Sequence, residues 1–334
     1  MALPPSFQRH IDHCNNANLP GRRTEFYIAG QPAGWVTPEV AALVGTQADP
    51  AALRDIADTL LHAGLYRWRN EAFDVRAFPD GPVLGTIDRG VLPVLGIQAV
   101  GVHLNGLVKR ADGLHVWIGR RALDKKLDPG KLDHIVGGGV PAGLSPAETL
   151  VKEAEEEAGL PAGLVAEATQ HATISYAMDR PEGLRRDRLY CYDLMIPESF
   201  TPYPVDGEVA GFELWPVQDV FDRVRDTDDF KFNVNMVLID LFPAAGVAAA
   251  IADRPPPRLG RAVGVAIPRR ALLRSGLGGI RAVPRGARVP DPAGRRHPNP
   301  PRAHPGGGRY AGPAPARPAA RSATDSAGSA AAPG

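Results

Sequence analysis

Cysteine is scarce in this chain: Cys14 and Cys191 are the only two among 334 residues. Two cysteines exclude the disulfide framework of small secreted proteins. No apolar run approaches the roughly 18–20 residues of a membrane-spanning helix, so we expect no membrane partner. The first residues lack the apolar region of a secretory signal, and we therefore expect a soluble, cytoplasmic protein.

Net charge is also small, because 38 Lys and Arg residues face 37 Asp and Glu residues. That balance hides an asymmetry between the two ends of the chain. Residues 251–334 contain 15 Arg, three Asp and neither Lys nor Glu, which leaves 23 basic and 34 acidic residues to residues 1–250. Because 44% of the whole chain is hydrophobic, this acidic body can bury a core.

Residues 246–334 have the composition of a disordered tail. Residues 251–334 hold 15 Pro, 13 Gly and one aromatic residue, and such a segment cannot bury enough apolar surface to offset chain entropy. A nucleic-acid-binding arm is the alternative use of its arginines, but we expect no nucleic-acid partner. An Arg-, Ala-, Pro- and Gly-rich segment without Lys or Glu is also typical of GC-rich codons translated out of frame. A frame shift after Phe242 is therefore a further hypothesis.

Residues 5–93 are predicted to form a small α/β domain. Glu25–Ile28 and Ala33–Val36 have the composition of short strands. Thr37 has the type preferred at a helix N-cap and is followed by a proline, and a second helix is predicted to open at Asp49.

Residues 94–245 are predicted to form a second domain of mixed strands around one central helix. The helix begins with a capping box at Ser145 and Glu148 and ends at Gly159. The other predicted elements are strands Gln98–Val108, His115–Arg120, Leu132–Val136, Ala172–Met178, Arg188–Met195 and Gly211–Pro216, and helices from Gln218 and over Asn233–Phe242.

The central helix carries the pattern most closely tied to chemistry. Glu153, Glu156 and Glu157 follow i, i+3, i+4 spacing, so their carboxylates meet on one side of the helix beside its apolar face. Like charges at this spacing repel, and a hard cation such as Mg²⁺ or Mn²⁺ removes the repulsion. Before the helix, Gly137–Gly139 lets the backbone approach a phosphate closely. The alternative is a solvated acidic face on an ordinary surface helix.

Residues 138–160 resemble the signature of the Nudix hydrolases, G-x5-E-x7-R-E-U-x-E-E-x-G-U, where U is aliphatic. The first glycine, the three glutamates and the final Gly159-Leu160 pair match. Leu144 stands where the family has Glu, and Lys152 stands where it has Arg. Because Glu148 and Lys152 lie i, i+4 apart, we expect them to substitute for that missing pair. The resemblance implies an α/β (α+β) fold, a mixed-sheet αβα sandwich preceded here by the small N-terminal domain.

The chain is also similar to a thiamine-pyrophosphokinase-related branch of that family over roughly residues 5–242. The matching segments are Phe26–Ile28, Gly34–Val36, Asp206–Val209 and Phe230–Asn233. This resemblance implies a pyrophosphohydrolase that converts thiamine diphosphate, or its oxidised analogues, to monophosphates.

The family resemblance implies residue roles as well. Glu153, Glu156, Glu157 and the Gly138 carbonyl are the expected ligands of Mg²⁺ or Mn²⁺. The catalytic candidates are Glu156, together with Glu157 or Glu208 as the general base.

A small-molecule diphosphate is the expected partner of this site. The substrate-binding candidates are Gly139, Lys152, Arg185, Arg186 and Tyr176, with the arginines placed in a loop and the strand after it, where they could hold the distal phosphate. A nucleoside diphosphate derivative such as ADP-ribose is the alternative substrate. A non-catalytic Nudix-like ligand-binding module is the alternative function.

Overall fold

The computed structural model describes residues 4–246. The predicted tail lies outside the described residues apart from Gly246. Of the segment to which the frame-shift hypothesis applies, only residues 243–246 are described. The helices are α1 Pro5–Cys14, α2 Pro38–Val44, α3 Leu53–His62, α4 Leu92–Leu95, α5 Pro146–Ala158, α6 Ala162–Val165, α7 Val217–Asp226 and α8 Val234–Ala244. The strands are β1 Thr24–Ile28, β2 Gln31–Val36, β3 Gln47–Ala48, β4 Ala72–Val75, β5 Gly85–Asp88, β6 Gln98–Arg110, β7 Gly113–Arg121, β8 Leu132–Asp133, β9 Val136–Gly139, β10 Thr169–Arg180, β11 Gly183–Met195 and β12 Val209–Pro216. Within residues 4–246, none of these helices is long and apolar enough to cross a membrane.

A seven-stranded mixed sheet forms the centre of the fold. Its main strand order is β10-β11-β6-β7-β12, with β9 paired to β6 and β8 paired to β7. The β11–β6 pair is parallel, and the other pairs in this sheet are antiparallel. The predicted α/β (α+β) class with a mixed sheet is therefore confirmed.

Helices cover both faces of this sheet. On one face, Leu150, Ala154 and Ala158 of α5 pack with Val102 and Leu104 of β6. On the opposite face, α7 and α8 bury the other apolar side chains of the strands. Because side chains alternate along a strand, each strand contributes to both layers, which gives an αβα sandwich.

Residues 24–97 form a separate hydrophobic core, which we call the N-terminal unit. It contains the small sheet β2-β1-β3, the β4–β5 hairpin and helices α2 to α4. The predicted N-cap at Thr37 is confirmed, since its hydroxyl accepts a hydrogen bond from the Val40 N–H.

Helix α1 precedes this unit in sequence but packs elsewhere. The Phe7 ring lies 5.0 Å from Phe221 of α7 and 6.1 Å from Phe242 of α8, measured between centroids. Cys14 is buried in the core formed with β10, β11 and α8. The first helix of predicted domain 5–93 is thus part of the large sandwich, whereas the boundary at residue 93 stays a prediction.

Local sequence signals define α5. The Ser145 hydroxyl accepts the Glu148 N–H, and the Glu148 carboxylate accepts the Ser145 N–H, so the predicted capping box is confirmed. Such a cap stabilises a helix by about 1 kcal/mol. At the other end, Gly159 adopts a left-handed conformation with φ 64°, which favours glycine.

Candidate active site

Three carboxylates line one ridge of α5 and differ sharply in exposure. Glu157 is buried, with 8% of its surface exposed. The Glu153 side chain is 17% exposed and that of Glu156 is 50% exposed. The ridge therefore runs from the interior to the solvent, and its buried end faces strand β9.

The glycines of β9 set the distance between this strand and the ridge. The Gly137 N–H donates to Glu157 Oε2 at 2.9 Å. A Cβ on Gly138 would lie only 2.6 Å from the Cγ and Cδ atoms of Glu153. A side chain at this position would displace Glu153, so the absence of one allows the glycine run to bring its backbone against two of the three carboxylates.

Burial raises the pKa of two carboxyl groups on this ridge. It raises the pKa of Glu157 to about 8, although the Gly137 hydrogen bond acts in the opposite direction. Burial also raises the pKa of Glu153, against the opposing effect of Lys152. Crowded, desolvated carboxylates are stabilised in their charged form by a nearby cation. The oxygen donors and the cradle at Gly138 fit a hard divalent ion held by Glu153, Glu156, Glu157 and the Gly138 carbonyl.

Lys152 corrects one expectation from the sequence. It does not pair with Glu148, because that carboxylate is engaged in the capping box at Ser145. Instead, the Lys152 ammonium donates to Glu153 Oε1 at 3.2 Å and to Glu156 Oε2. Lys152 therefore compensates charge on the ridge itself.

Glu208 lies on the exposed turn before β12. Its carboxylate forms an ion pair with Lys125, and its backbone carbonyl accepts the Ala122 N–H at 3.0 Å. Its charge contributes, after burial and nearer groups, to the raised pKa of Glu157. Glu208 is thus in the neighbourhood of the ridge, and its role as a general base stays a prediction.

Strand alternation corrects two of the predicted substrate contacts. Arg185 and Tyr176 point to the buried face of β11 and β10. There, the Tyr176 hydroxyl donates to the Asp187 carboxylate, and Arg185 contacts the same carboxylate at 2.8 Å. Because both side chains are engaged in the core, their expected substrate roles do not fit this placement. Arg186 points to the opposite face and donates to the Gly96 carbonyl at 3.1 Å.

The N-terminal unit borders the glycine strand. The Ala142 N–H donates to the Ala72 carbonyl at 2.7 Å. A Cβ on Gly139 would lie 2.5 Å from the Phe73 ring, so this ring occupies the side-chain side of Gly139. The Phe73 ring therefore excludes a substrate from that side of Gly139.

A buried polar cluster lies beneath β9 and was missed in the sequence. One possible ligand atom from each of His103, Asp133 and His134 lies within 4.8 Å of the others, with all three residues buried. The Asp133 carboxylate contacts Arg121 at 2.7 Å and Lys231 at 3.3 Å.

The charges of this cluster are already balanced by protein groups. Burial disfavours the ionised form of Asp133, but Lys231 and other nearby groups hold its pKa below the usual range. Burial lowers the pKa of both histidines, that of His134 to about 4. A Cβ on Gly137 would lie 3.0 Å from His103 Nδ1, so the cluster supports the strand that contacts Glu157. Lys231 belongs to the Phe230–Asn233 segment, and that resemblance was the one signal pointing to this cluster.

Comparison with known proteins shows which proteins this domain resembles. Residues 101–234 match the model of the NUDIX domain family. Nudix hydrolase 20, chloroplastic, of Arabidopsis thaliana is 42% identical over 172 residues, which is 52% of this chain and 46% of that protein. Nudix hydrolase 24, chloroplastic, of the same organism is 42% identical over 172 residues, covering 52% and 47% respectively. Among solved structures, DR0079 from Deinococcus radiodurans aligns with a TM-score of 0.39 and 22% identity over 51% of this chain and 98% of its own.

The chain thus spans about half the length of the curated relatives it matches. Both Arabidopsis relatives are named as chloroplastic proteins. The cytoplasmic location expected from the sequence stays a prediction.

Proposed function

We propose that this protein is a metal-dependent Nudix pyrophosphohydrolase that cleaves a diphosphate linked to another moiety. The observation that carries the proposal is the ridge of Glu153, Glu156 and Glu157. The ridge lies against strand β9, where the Gly137 N–H donates a hydrogen bond to Glu157 and Gly138 leaves room for the Glu153 side chain. Three carboxylates beside a close-approaching backbone are suited to a divalent ion and a phosphate.

In the proposed reaction the ridge holds the metal, and one of its carboxylates, Glu157, also accepts a proton. When bound, Mg²⁺ or Mn²⁺ supplies neutralisation of phosphate charge and a lower pKa for a coordinated water. Glu157 Oε2 accepts the Gly137 N–H, which orients the carboxylate and leaves Oε1 to take the proton of the attacking water. Glu208 is the second candidate base, and it must first separate from Lys125.

Thiamine diphosphate, or an oxidised analogue, is the substrate that we propose, with a monophosphate as product. The support is the resemblance of four segments outside the catalytic signature, described above, to the thiamine-pyrophosphokinase-related branch. One of them, Phe230–Asn233, contributes Lys231 to the buried cluster beneath the active-site strand. The contact of Phe73 with Gly139 is consistent with an N-terminal unit that borders the substrate.

A panel of diphosphates tests both the reaction and its substrate. The full chain is incubated with thiamine diphosphate, its oxidised analogues and ADP-ribose, each with Mg²⁺, Mn²⁺ or EDTA, and the products are identified by mass spectrometry. We expect monophosphates from the thiamine compounds with either metal and none with EDTA. Cleavage of ADP-ribose alone would refute the substrate and preserve the reaction class.

A matched pair of variants tests the ridge. Glu156→Gln removes a proposed metal ligand, and Glu155→Gln removes an exposed carboxylate of the same helix that is not on the ridge. We expect Glu156→Gln to lower kcat at least about 100-fold, because a neutral amide holds the metal less well and the metal's positive charge at the reacting phosphate is lost. Glu155→Gln is expected to retain activity. Unchanged turnover in Glu156→Gln, or ligand binding without turnover in the unaltered protein, would overturn the proposed function.

A further inference from the structure

One face of the central sheet is half-buried and lies beside the α5 ridge. Over residues 172–178 of β10 and residues 186–191 of β11, the residues that point to α8 are buried, whereas the alternate residues are half-exposed. Val102 of β6 pairs with Tyr190 of β11 and with Gly138 of β9, and directly paired residues point to the same face of a sheet. The Cβ position of Gly138 faces Glu153, so these alternate residues lie on the same side of the sheet as Glu153. We call this surface the open face, and it consists of Thr173, Ser175, Ala177, Arg186, Arg188, Tyr190, Gln98 and Val100.

Two arginines on this face have no carboxylate partner. Within residues 4–246, every other arginine that is at least partly buried has a carboxylate oxygen within 4.0 Å. Arg186 donates one hydrogen bond, to the Gly96 carbonyl at 3.1 Å. The Arg188 guanidinium lies 5.4 Å from the centroid of the Tyr190 ring, and its Nε atom is buried without a hydrogen-bond partner.

This arrangement is unfavourable in the protein alone. Arg186 and Arg188 are two residues apart on one strand, so their Cα atoms are roughly 6.6 Å apart and their charges repel. Burial without a neighbouring carboxylate lowers the pKa of Arg186. A buried charge is stable when it is paired and hydrogen-bonded. A bound anion would supply both requirements at once.

The open face is within reach of the proposed reaction centre. Arg188 pairs with Val100 of β6, whose carbonyl accepts the Val140 N–H just beyond β9. Two strand spacings of about 4.8 Å therefore separate the backbone of Arg188 from the glycine strand. An arginine side chain that extends along the face covers much of this distance. The register also places Ser175 of β10 opposite Arg188, and its hydroxyl adds a hydrogen-bonding group to the same surface.

We propose that Arg186 and Arg188 bind the dianionic terminal phosphate of the substrate, on the sheet side of the α5 ridge. The inference rests on the proposed function. It specifies the substrate class as diphosphates with a free terminal phosphate, as opposed to diphosphates esterified at both ends. Two guanidinium groups match the charge of a terminal phosphate and offer donors for several of its oxygens. A doubly esterified diphosphate has no terminal phosphate and leaves one guanidinium charge uncompensated.

Binding without turnover tests the site independently of catalysis. The probes are inorganic pyrophosphate and P1,P2-dimethyl diphosphate, titrated by calorimetry in EDTA. We expect the unaltered protein to bind pyrophosphate more tightly than the dimethyl ester. Arg188→Gln is expected to weaken pyrophosphate binding roughly 10- to 100-fold, the effect of losing a charged hydrogen-bond donor. Arg188→Lys should restore part of the affinity because it restores the charge.

The control variant is Arg110→Gln, which removes an arginine paired with Glu198 at the tip of the β6–β7 hairpin. It should bind pyrophosphate as the unaltered protein does. Thermal unfolding identifies any variant that fails to fold, and Arg186→Gln then provides the second measurement. Equal pyrophosphate affinity in the unaltered protein, Arg188→Gln and Arg186→Gln would refute the site.

The two proposals fail in different ways. If Arg188→Gln loses pyrophosphate binding but no diphosphate is ever hydrolysed, the anion site stands and the proposed enzymatic function falls. If hydrolysis proceeds and Arg188→Gln retains both pyrophosphate affinity and the kcat/KM ratio of thiamine diphosphate to ADP-ribose, the function stands and the terminal-phosphate site is wrong.

Discussion

Substitution of Gly138 by alanine separates the stability of the fold from the geometry of the ridge. The new methyl carbon would lie 2.6 Å from Cγ and Cδ of Glu153, well inside contact distance. The nearest atoms belong to a flexible side chain, so Glu153 moves and the strand remains in place. We expect a loss of about 1–3 kcal/mol in the free energy of unfolding, as for other overpacked sites.

The effect of Gly138→Ala on activity should be much larger than its effect on folding. A displacement of about 1 Å at a catalytic centre lowers the rate roughly 100-fold. The assay is kcat at saturating Mg²⁺, together with the Mg²⁺ concentration that gives half-maximal activity, which should rise. Thermal unfolding is measured on the same samples.

Gly211→Ala is the matched control because Gly211 is also a strand glycine and its Cβ would meet nothing within 4 Å. This variant should retain both stability and activity. If Gly138→Ala is folded and keeps the kcat and metal dependence of the unaltered protein, close approach of β9 to Glu153 is not needed for the reaction.

Two further predictions follow from buried charges. The folded-state pKa of Glu157, about 8, exceeds its ordinary value of 4.5, so in EDTA the associated stability is fully present below pH 4.5 and is lost as the pH rises through 8. Urea unfolding in EDTA should therefore give a lower free energy at pH 8.5 than at pH 6, and Glu157→Gln should reduce this difference; an equal slope in the variant would contradict the assignment. Lys231→Met removes one of the two cations at Asp133 and should lower the free energy of unfolding by about 3–5 kcal/mol, as for other broken buried ion pairs. The exposed Lys109→Met is its control, and equal losses in the two variants would show that the buried pair contributes no more than a surface lysine.

Helix α5 could be predicted from sequence because its signals are local. The capping box at Ser145 and the terminal Gly159 act within a few residues, and the spacing of the glutamates fixes their common side. Several strands of the central sheet were also located correctly: the start at Gln98 and the ends at Met195 and Pro216 match, whereas the other ends of these strands extend further and the predicted strand Leu132–Val136 is divided between β8 and β9.

The opposite orientations of Arg185 and Arg186 were missed because of one misplaced strand boundary. The sequence placed Arg185 and Arg186 in a loop before a strand that starts at Arg188. In the structure, β11 begins at Gly183. Neighbouring residues in a strand point to opposite faces, so the two arginines could not share a substrate.

Other features depend on contacts between distant parts of the chain. Lys231 meets Asp133 across 98 positions, and no local pattern marks such a pair. Helix α1 was missed for the same reason, since Phe7 is buried by residues more than 200 positions away.

The placement of α1 has a consequence for how the chain can be divided. The N-terminal unit is an insertion between α1 and β6, so the sandwich takes its first helix from one side of that insertion and its strands from the other. A shortened chain that began at residue 94 would expose the rings of Phe221 and Phe242 to water and would tend to aggregate. During synthesis, the first ten or so residues must wait for the emergence of α7 and α8 before they can dock. The two parts of the protein are therefore nested along the sequence, and neither can be removed at a single cut without damaging the other.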